Sequence, residues 1–305
     1  MKHSLKERMK NARRVLAFGA LFSLPYIWLF LFLLIPLLFV LGISFTESII
    51  AIPPYNPLAV WVNKSILVLK MNFQNYFLVL TDPLYAFAYW NSFKMAFWAT
   101  LICFLVAYPV AYYLTQLKPF PRFIGLVFLM LPFWISFLVR VYAWIGLLGQ
   151  GGLVCSALSY LGFISPQTSL VGTPWAVLIG LVYTYLPFMV LPVYTALEKL
   201  DHSLVEAALD LGCPPWKVFW RVVLPLSFKG AMTGAVLVFI PIVGEFTVPE
   251  LLGGSKFLMV GQVIWGEFFY NHDWPAASAL AMIMLVTLLI PILVLGRLQK
   301  STYRQ

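Results

Sequence analysis

Six apolar runs, each long enough to cross the roughly 30 Å hydrocarbon core of a bilayer, dictate what this chain can become. They cover residues 15–45, 92–115, 123–148, 174–197, 230–252 and 275–298. In hydrocarbon every backbone N–H and C=O must be satisfied within the protein, so runs of this length fold as helices. The expected fold class is an all-α membrane protein with six transmembrane helices. Charged residues make up only 10% of the chain, against roughly 25% in a soluble domain, which excludes a water-soluble core. The first run is twice the about 7–15 residues of a secretory signal core, so it is read as a retained span, kinked at Pro25 and Pro36.

The net charge of +9 would suit nucleic acid, but the basic residues lie in tails and short connections and form no continuous face. Their distribution sets an orientation instead. Fifteen Lys and Arg fall on the side holding the N-terminal tail, Lys118 and Arg122, Lys199 to Lys229, and the C-terminal tail; Lys64, Lys70 and Lys256 fall on the other. The expected organisation follows: a cytoplasmic tail over 1–14, a first span over 15–45 and a periplasmic connection over 46–91. A permease-like domain over 92–298, with a cytoplasmic loop over 198–229, precedes a cytoplasmic tail over 299–305. Aromatic and proline residues in 46–91 suggest a segment lying along the outer membrane surface, and residues 149–173 form a glycine-rich outer loop open to a soluble partner.

Within the 198–229 loop, the stretch Glu206 to Pro225 reads EAALDLGCPPWKVFWRVVLP. Ala207 and Ala208 favour a helix over Glu206 to Leu211, Gly212 stops it, Pro214 and Pro215 enforce a turn, and Trp216 to Val223 resumes at helical spacing. The order Glu206, Ala207, Ala208, then Gly212, Val222, Leu224 and Pro225 resembles the EAA loop of inner-membrane permeases in binding-protein-dependent ABC importers, with Val222 where the family usually has Ile. The resemblance implies the type I importer permease fold and a bacterial inner-membrane location. It implies two cytoplasmic ATPase subunits that dock on this loop, with Asp210 among the coupling residues. It also implies a second, related permease and a periplasmic binding protein. ATP and Mg would bind on the ATPase subunits, and this chain would hydrolyse nothing. No GxxxxGK[ST] occurs, and Leu252 to Lys256 lacks the first glycine of a phosphate loop.

Further stretches resemble the polyamine subgroup, its putrescine permeases above all and spermidine second. They are Asn75-Tyr76, Asp82 to Tyr85, Asn91 to Ala96, Pro132 to Trp134, Arg140 to Trp144, Leu186 to Pro192, Glu245, Pro249 to Gly254 and Asp273 to Pro275.

Arg140 and Glu245 fall deep inside spans. Arg140 and Glu245 would lie about 27 and 24 Å into straight helices, within one turn of each other. Ionisable groups at such depth face a partner or a water-filled path. Arg140 is therefore expected to pair with Glu245, or lie near it, beside a translocation path; the alternative is that each separately satisfies backbone groups or snorkels outward. Glu250, one turn further out, is the better contact for a cationic substrate. A polyamine offers ammonium groups for carboxylates and methylenes for aromatic faces, which makes Trp134, Tyr142, Trp144, Tyr183 and Tyr185 candidates, of which one or two should line the path. Lys94 is read as a snorkelling anchor, and Gly230 with Gly234 as packing within one subunit.

Two other classes compete. An ion-driven secondary transporter would favour inverted repeats and midplane charges. An embedded enzyme would need converging His, Asp, Glu or Ser, whereas His3, His202 and His272 are dispersed. Cys103, Cys155 and Cys213 show neither metal-ligand spacing nor a disulfide framework, so no metal or cofactor is expected in this chain.

Overall fold

The computed structural model describes residues 23–62, 66–69, 71–254 and 257–301. The expected tail over 1–14, the start of the first span, Lys64, Lys70, Lys256 and the last four residues lie outside the described residues. Among the described residues, six helices are long and apolar enough to cross a membrane. The first, α1 (Ser23–Ser44), contains a π-helical turn at Phe30–Leu34. That wider turn sits just before Pro36, where a missing N–H breaks the regular ladder.

The connection after α1 is more ordered than its composition implies. A β-hairpin pairs β1 (Ala59–Val62) with β2 (Ile66–Leu69), an addition to the all-helical expectation. Helix α2 (Gln74–Thr81) follows, and α3 already begins at Pro83 and runs to Gln116. Asn75 donates to the carbonyls of Ser44 and Thr46, sealing the end of α1. Asp82 accepts from the Leu84 N–H and starts α3.

The expected third span is broken. Helix α4 (Pro119–Met130) tightens into a 3₁₀ turn at Leu131–Trp134, Ile135 and Ser136 leave the helix, and α5 (Phe137–Leu148) restarts it. Pro132 supplies no N–H to the preceding turn, which is why the ladder fails there. The outer loop expected over 149–173 contains α6 (Leu153–Tyr160), and Phe137–Tyr160 together forms the third membrane-length stretch.

Next come α7 (Pro174–Glu198), the short α8 (His202–Asp210) and α9 (Pro215–Val243), which passes through a π-helical turn at Phe219–Val223. The expected fifth span over 230–252 is thus displaced: it begins at Pro215 and stops at Val243, with Pro241 in its last turn and Gly244 after it. Helix α10 (Thr247–Leu252), α11 (Val260–Trp265) with the π-helical turn Gly266–Tyr270, and α12 (Trp274–Ser301) complete the chain.

Helices α3, α7 and α9 enclose the main core, filled by residues such as Leu181, Met189, Val190 and Ile242. Gly230 and Gly234 set the spacing of α9 on α7. A Cβ at Gly230 would lie 2.3 Å from Ala196 Cβ and 2.6 Å from the Pro192 carbonyl oxygen, and one at Gly234 would lie 2.8 Å from Met189 Sδ. These glycines pack inside one chain, as their spacing implied. Gly230→Leu is expected to cost more than the roughly 1–3 kcal/mol of ordinary overpacking, because backbone must move. The amount of folded protein in membranes, read by fluorescence of a C-terminal fusion, should fall sharply.

Candidate coupling loop and translocation site

The two ends of α9 carry the two features of interest. At its start, Asp201 accepts from the Ser203 N–H and opens α8. That helix closes with a Schellman motif: the Gly212 N–H reaches the Leu209 carbonyl at 2.8 Å and the Cys213 N–H reaches the Ala208 carbonyl at 3.1 Å. Gly212 has φ +79°, the left-handed region that a side chain disfavours. Pro214 and Pro215 then launch α9, so the helix, turn and helix expected from the sequence are present, with α8 starting four residues earlier than expected. Pro225 follows the π-helical turn, which absorbs its missing N–H.

Glu206, Ala207 and Asp210 are exposed and Ala208 is half-buried. Around them Leu211 is 87% exposed and Trp216 64%, an apolar knuckle turned away from the rest of the chain. Its base is fastened. Tyr108 shares a hydrogen bond with Ser227, and Phe219 stands edge-on to Tyr108 and Tyr112. Arg122 closes the end of α3 through the Thr115 and Leu117 carbonyls and pairs with Glu198 at 3.2 Å, while Tyr194 donates to the same carboxylate.

At the other end of α9, Glu245 lies in the non-helical link Gly244–Phe246, not inside a span. Its carboxylate accepts from Tyr185 Oη at 2.6 Å and from the Thr247 N–H at 3.0 Å, so it caps α10. Arg140 does not pair with it: among the described residues no ion pair joins the two. The break in the third span puts Arg140 in the first turn of α5, where its guanidinium lies 5.2 Å from the Phe133 ring and 5.5 Å from the Phe137 ring. Phe133 meets Phe188 edge-on at 5.2 Å, and Phe188 neighbours Tyr185. Three aromatic rings therefore separate the two charges. The straight-helix depth estimate failed because neither helix is continuous there.

Glu250 is exposed and accepts from Gln262 Nε2 at 2.9 Å. Between the carboxylates of Glu245 and Glu250 in sequence stands Phe246, stacked on Trp265 at 4.5 Å with the planes 7° apart; Phe269 lies 4.1 Å from Trp265 on a ring tilted by 35°. Helix α11 can bring Gln262 and Trp265 here because Gly261 sits against the Gly244 and Glu245 carbonyl oxygens, which a Cβ would approach to 2.5 and 2.6 Å. Of the aromatic candidates, Tyr185 touches a carboxylate, Trp144 packs on Tyr183, and Trp134 and Tyr142 are exposed. Sequence reasoning missed Phe246, Gln262, Trp265 and Phe269; the i, i+4 spacing of Trp265 and Phe269 was the available signal. Two motif carboxylates have structural duties: Asp82 caps α3, and Asp273 caps α12 through the Ala276 N–H.

The profile of the family described as binding-protein-dependent transport system inner membrane component matches residues 18–300. The spermidine/putrescine transport system permease protein PotB of Haemophilus influenzae is 39% identical, over 93% of this chain and 94% of its own length. PotB of Escherichia coli K12 is 37% identical, over 88% and 93%. Among solved structures, a bacterial ABC transporter importing the acidic polysaccharide alginate superposes with a TM-score of 0.74 at 17% identity, covering 96% of this chain and 98% of that one. The methionine transporter MetNI superposes with a TM-score of 0.54 at 16% identity, over 72% and 98%. With its six membrane-length helices and a fold shared with importer permeases, the chain belongs to the inner membrane components of binding-protein-dependent transport systems.

Proposed function

We propose that this permease forms half of the pathway of an ATP-driven polyamine importer, with putrescine the first substrate and spermidine the second. The observation that carries the substrate class is the gathering of two carboxylates and a stacked ring pair around the α9–α10 break: Glu245 and Glu250 flank Phe246, whose ring stacks on Trp265, and Glu250 is tied to Gln262 of the same helix as Trp265. Carboxylates match ammonium groups, and aromatic faces match both the charge and the methylene stem. The PotB relatives favour the same substrates.

Both termini and the Glu206 loop face the cytoplasm, as the excess of Lys and Arg on that side supports. The exposed Leu211 and Trp216 suit a partner surface better than water. Two ATPase subunits carrying ATP and Mg dock there, a periplasmic polyamine-binding protein delivers substrate to the opposite face, and a second, related permease supplies the other half of the path. Nucleotide-driven closure of the ATPases pushes the loop, and access to the site alternates.

The test is uptake of labelled putrescine in cells lacking the gene and in complemented cells, competed with spermidine and with amino acids. Complemented uptake that spermidine suppresses and amino acids do not is the expected result. Suppression by an amino acid alone would assign another small substrate. Uptake persisting without the ATPase subunits and following a proton or sodium gradient would overturn the importer reading.

A further inference from the structure

A groove of about 860 Å³ runs along the outside of α3 against the start of α7, away from the carboxylates and the coupling loop. Phe87 marks one end, Leu105 the other, and Lys94, Trp98, Trp175 and Leu178 line it between. Its volume falls in the range of about 300–1,000 Å³ found for small-molecule sites.

The depth of each lining residue follows from the two helices independently. Helix α3 has 34 residues, about 51 Å at 1.5 Å per residue, so it overshoots the hydrocarbon. Measured from Gln116, Leu105 lies about 16 Å up, near the midplane of a roughly 30 Å core, and the hydrocarbon ends near Ala96. Lys94 is then at headgroup level and Trp98 just beneath it. Measured from Glu198, α7 leaves the hydrocarbon near Leu178, which places Trp175 at headgroup level too. The groove thus spans one leaflet, apolar below and cationic with indole N–H donors above. Lys94 is exposed and makes no hydrogen bond or ion pair with any described residue.

We propose that this groove is a binding site for an anionic phospholipid of the leaflet on the Glu245 side, its acyl chain along Trp98 to Leu105 and its phosphate on Lys94. A groove at this depth is filled by something apolar, and Lys94 gives the headgroup a sign. A span of another subunit fits less well: the wall is built from large side chains, whereas helices approach closely over small ones, and the groove stops at the midplane.

The experiment uses the assembled importer in nanodiscs of mixed phosphatidylglycerol and phosphatidylethanolamine, with retained lipids quantified by mass spectrometry after extraction. Lys94→Gln should lower the preference for phosphatidylglycerol about five-fold, the effect of one basic residue at the surface. Leu178→Trp, which fills the groove, should lower retention of both lipids. A benzophenone amino acid at Trp98 should cross-link to lipid. An unchanged headgroup preference in Lys94→Gln, or cross-linking of position 98 to protein, would overturn the proposal.

Discussion

Gly212→Val is expected to reduce ATP-driven uptake at least about ten-fold while leaving the amount of permease in the membrane unchanged. At φ +79° an L-residue pays about 1–2 kcal/mol, and a β-branched one fits worst. A loss of 1.4 kcal/mol is already ten-fold in an equilibrium. No atom lies within 4 Å of a Cβ built at Gly212, so the penalty is entirely in the backbone and packing is untouched. That separates two explanations. Gly212→Asn, which tolerates the left-handed region, should keep most of the activity. Labelled putrescine uptake, set against immunoblots of membranes, reads both variants. Equal uptake in the Val and wild-type proteins would mean that the bend between α8 and α9 transmits nothing.

Glu245→Gln is expected to lower the uptake efficiency for putrescine by about ten- to a hundred-fold, the equivalent of a charged hydrogen bond of about 1.5–3 kcal/mol. The amide oxygen of Gln still accepts from the Thr247 N–H, so the start of α10 stays held, while the amide NH2 takes the place of the second oxygen and donates to Tyr185 Oη, so the charge is removed with both partners kept. Thermal unfolding of the purified complex should therefore stay within experimental scatter of the wild type. Tyr185→Phe deletes one hydrogen bond and keeps the carboxylate, and its uptake should fall far less. Glu245→Gln transporting as well as wild type would reduce Glu245 to a helix cap.

Much of the fold is legible because the bilayer permits so few solutions: apolar runs long enough to cross it must be helices, and the described residues hold six, although the third and fifth are shifted along the chain. The turn at Gly212 was legible for a related reason, since Gly followed by two Pro allows little else. What escaped notice were interruptions. Pro132 lies in an apolar run whose helix fails beside it, and Pro241 sits in the last turn of α9, which stops at Val243 before Gly244; these breaks decide where Arg140 and Glu245 lie. The stacking of Phe246 on Trp265 is not legible in the sequence because one ring stands in the link after α9 and the other in α11, brought together by the close seat of Gly261 and the Gln262–Glu250 hydrogen bond. Asp82 and Asp273 belong to stretches that resemble the polyamine subgroup, but their side chains start helices, a duty any substrate would leave in place.

The unbroken course of α9 has a mechanical corollary. Its 29 residues make a shaft about 43 Å long, and Gly230, jammed against Ala196 and Pro192, sits close to the shaft's middle. A beam bearing on a fulcrum at its centre swings its two tips in opposite directions by similar amounts. Pressure at the Pro215 tip would tilt the Val243 tip the other way and carry the hinge holding Glu245 with it, so that narrowing at one mouth and widening at the other become a single movement.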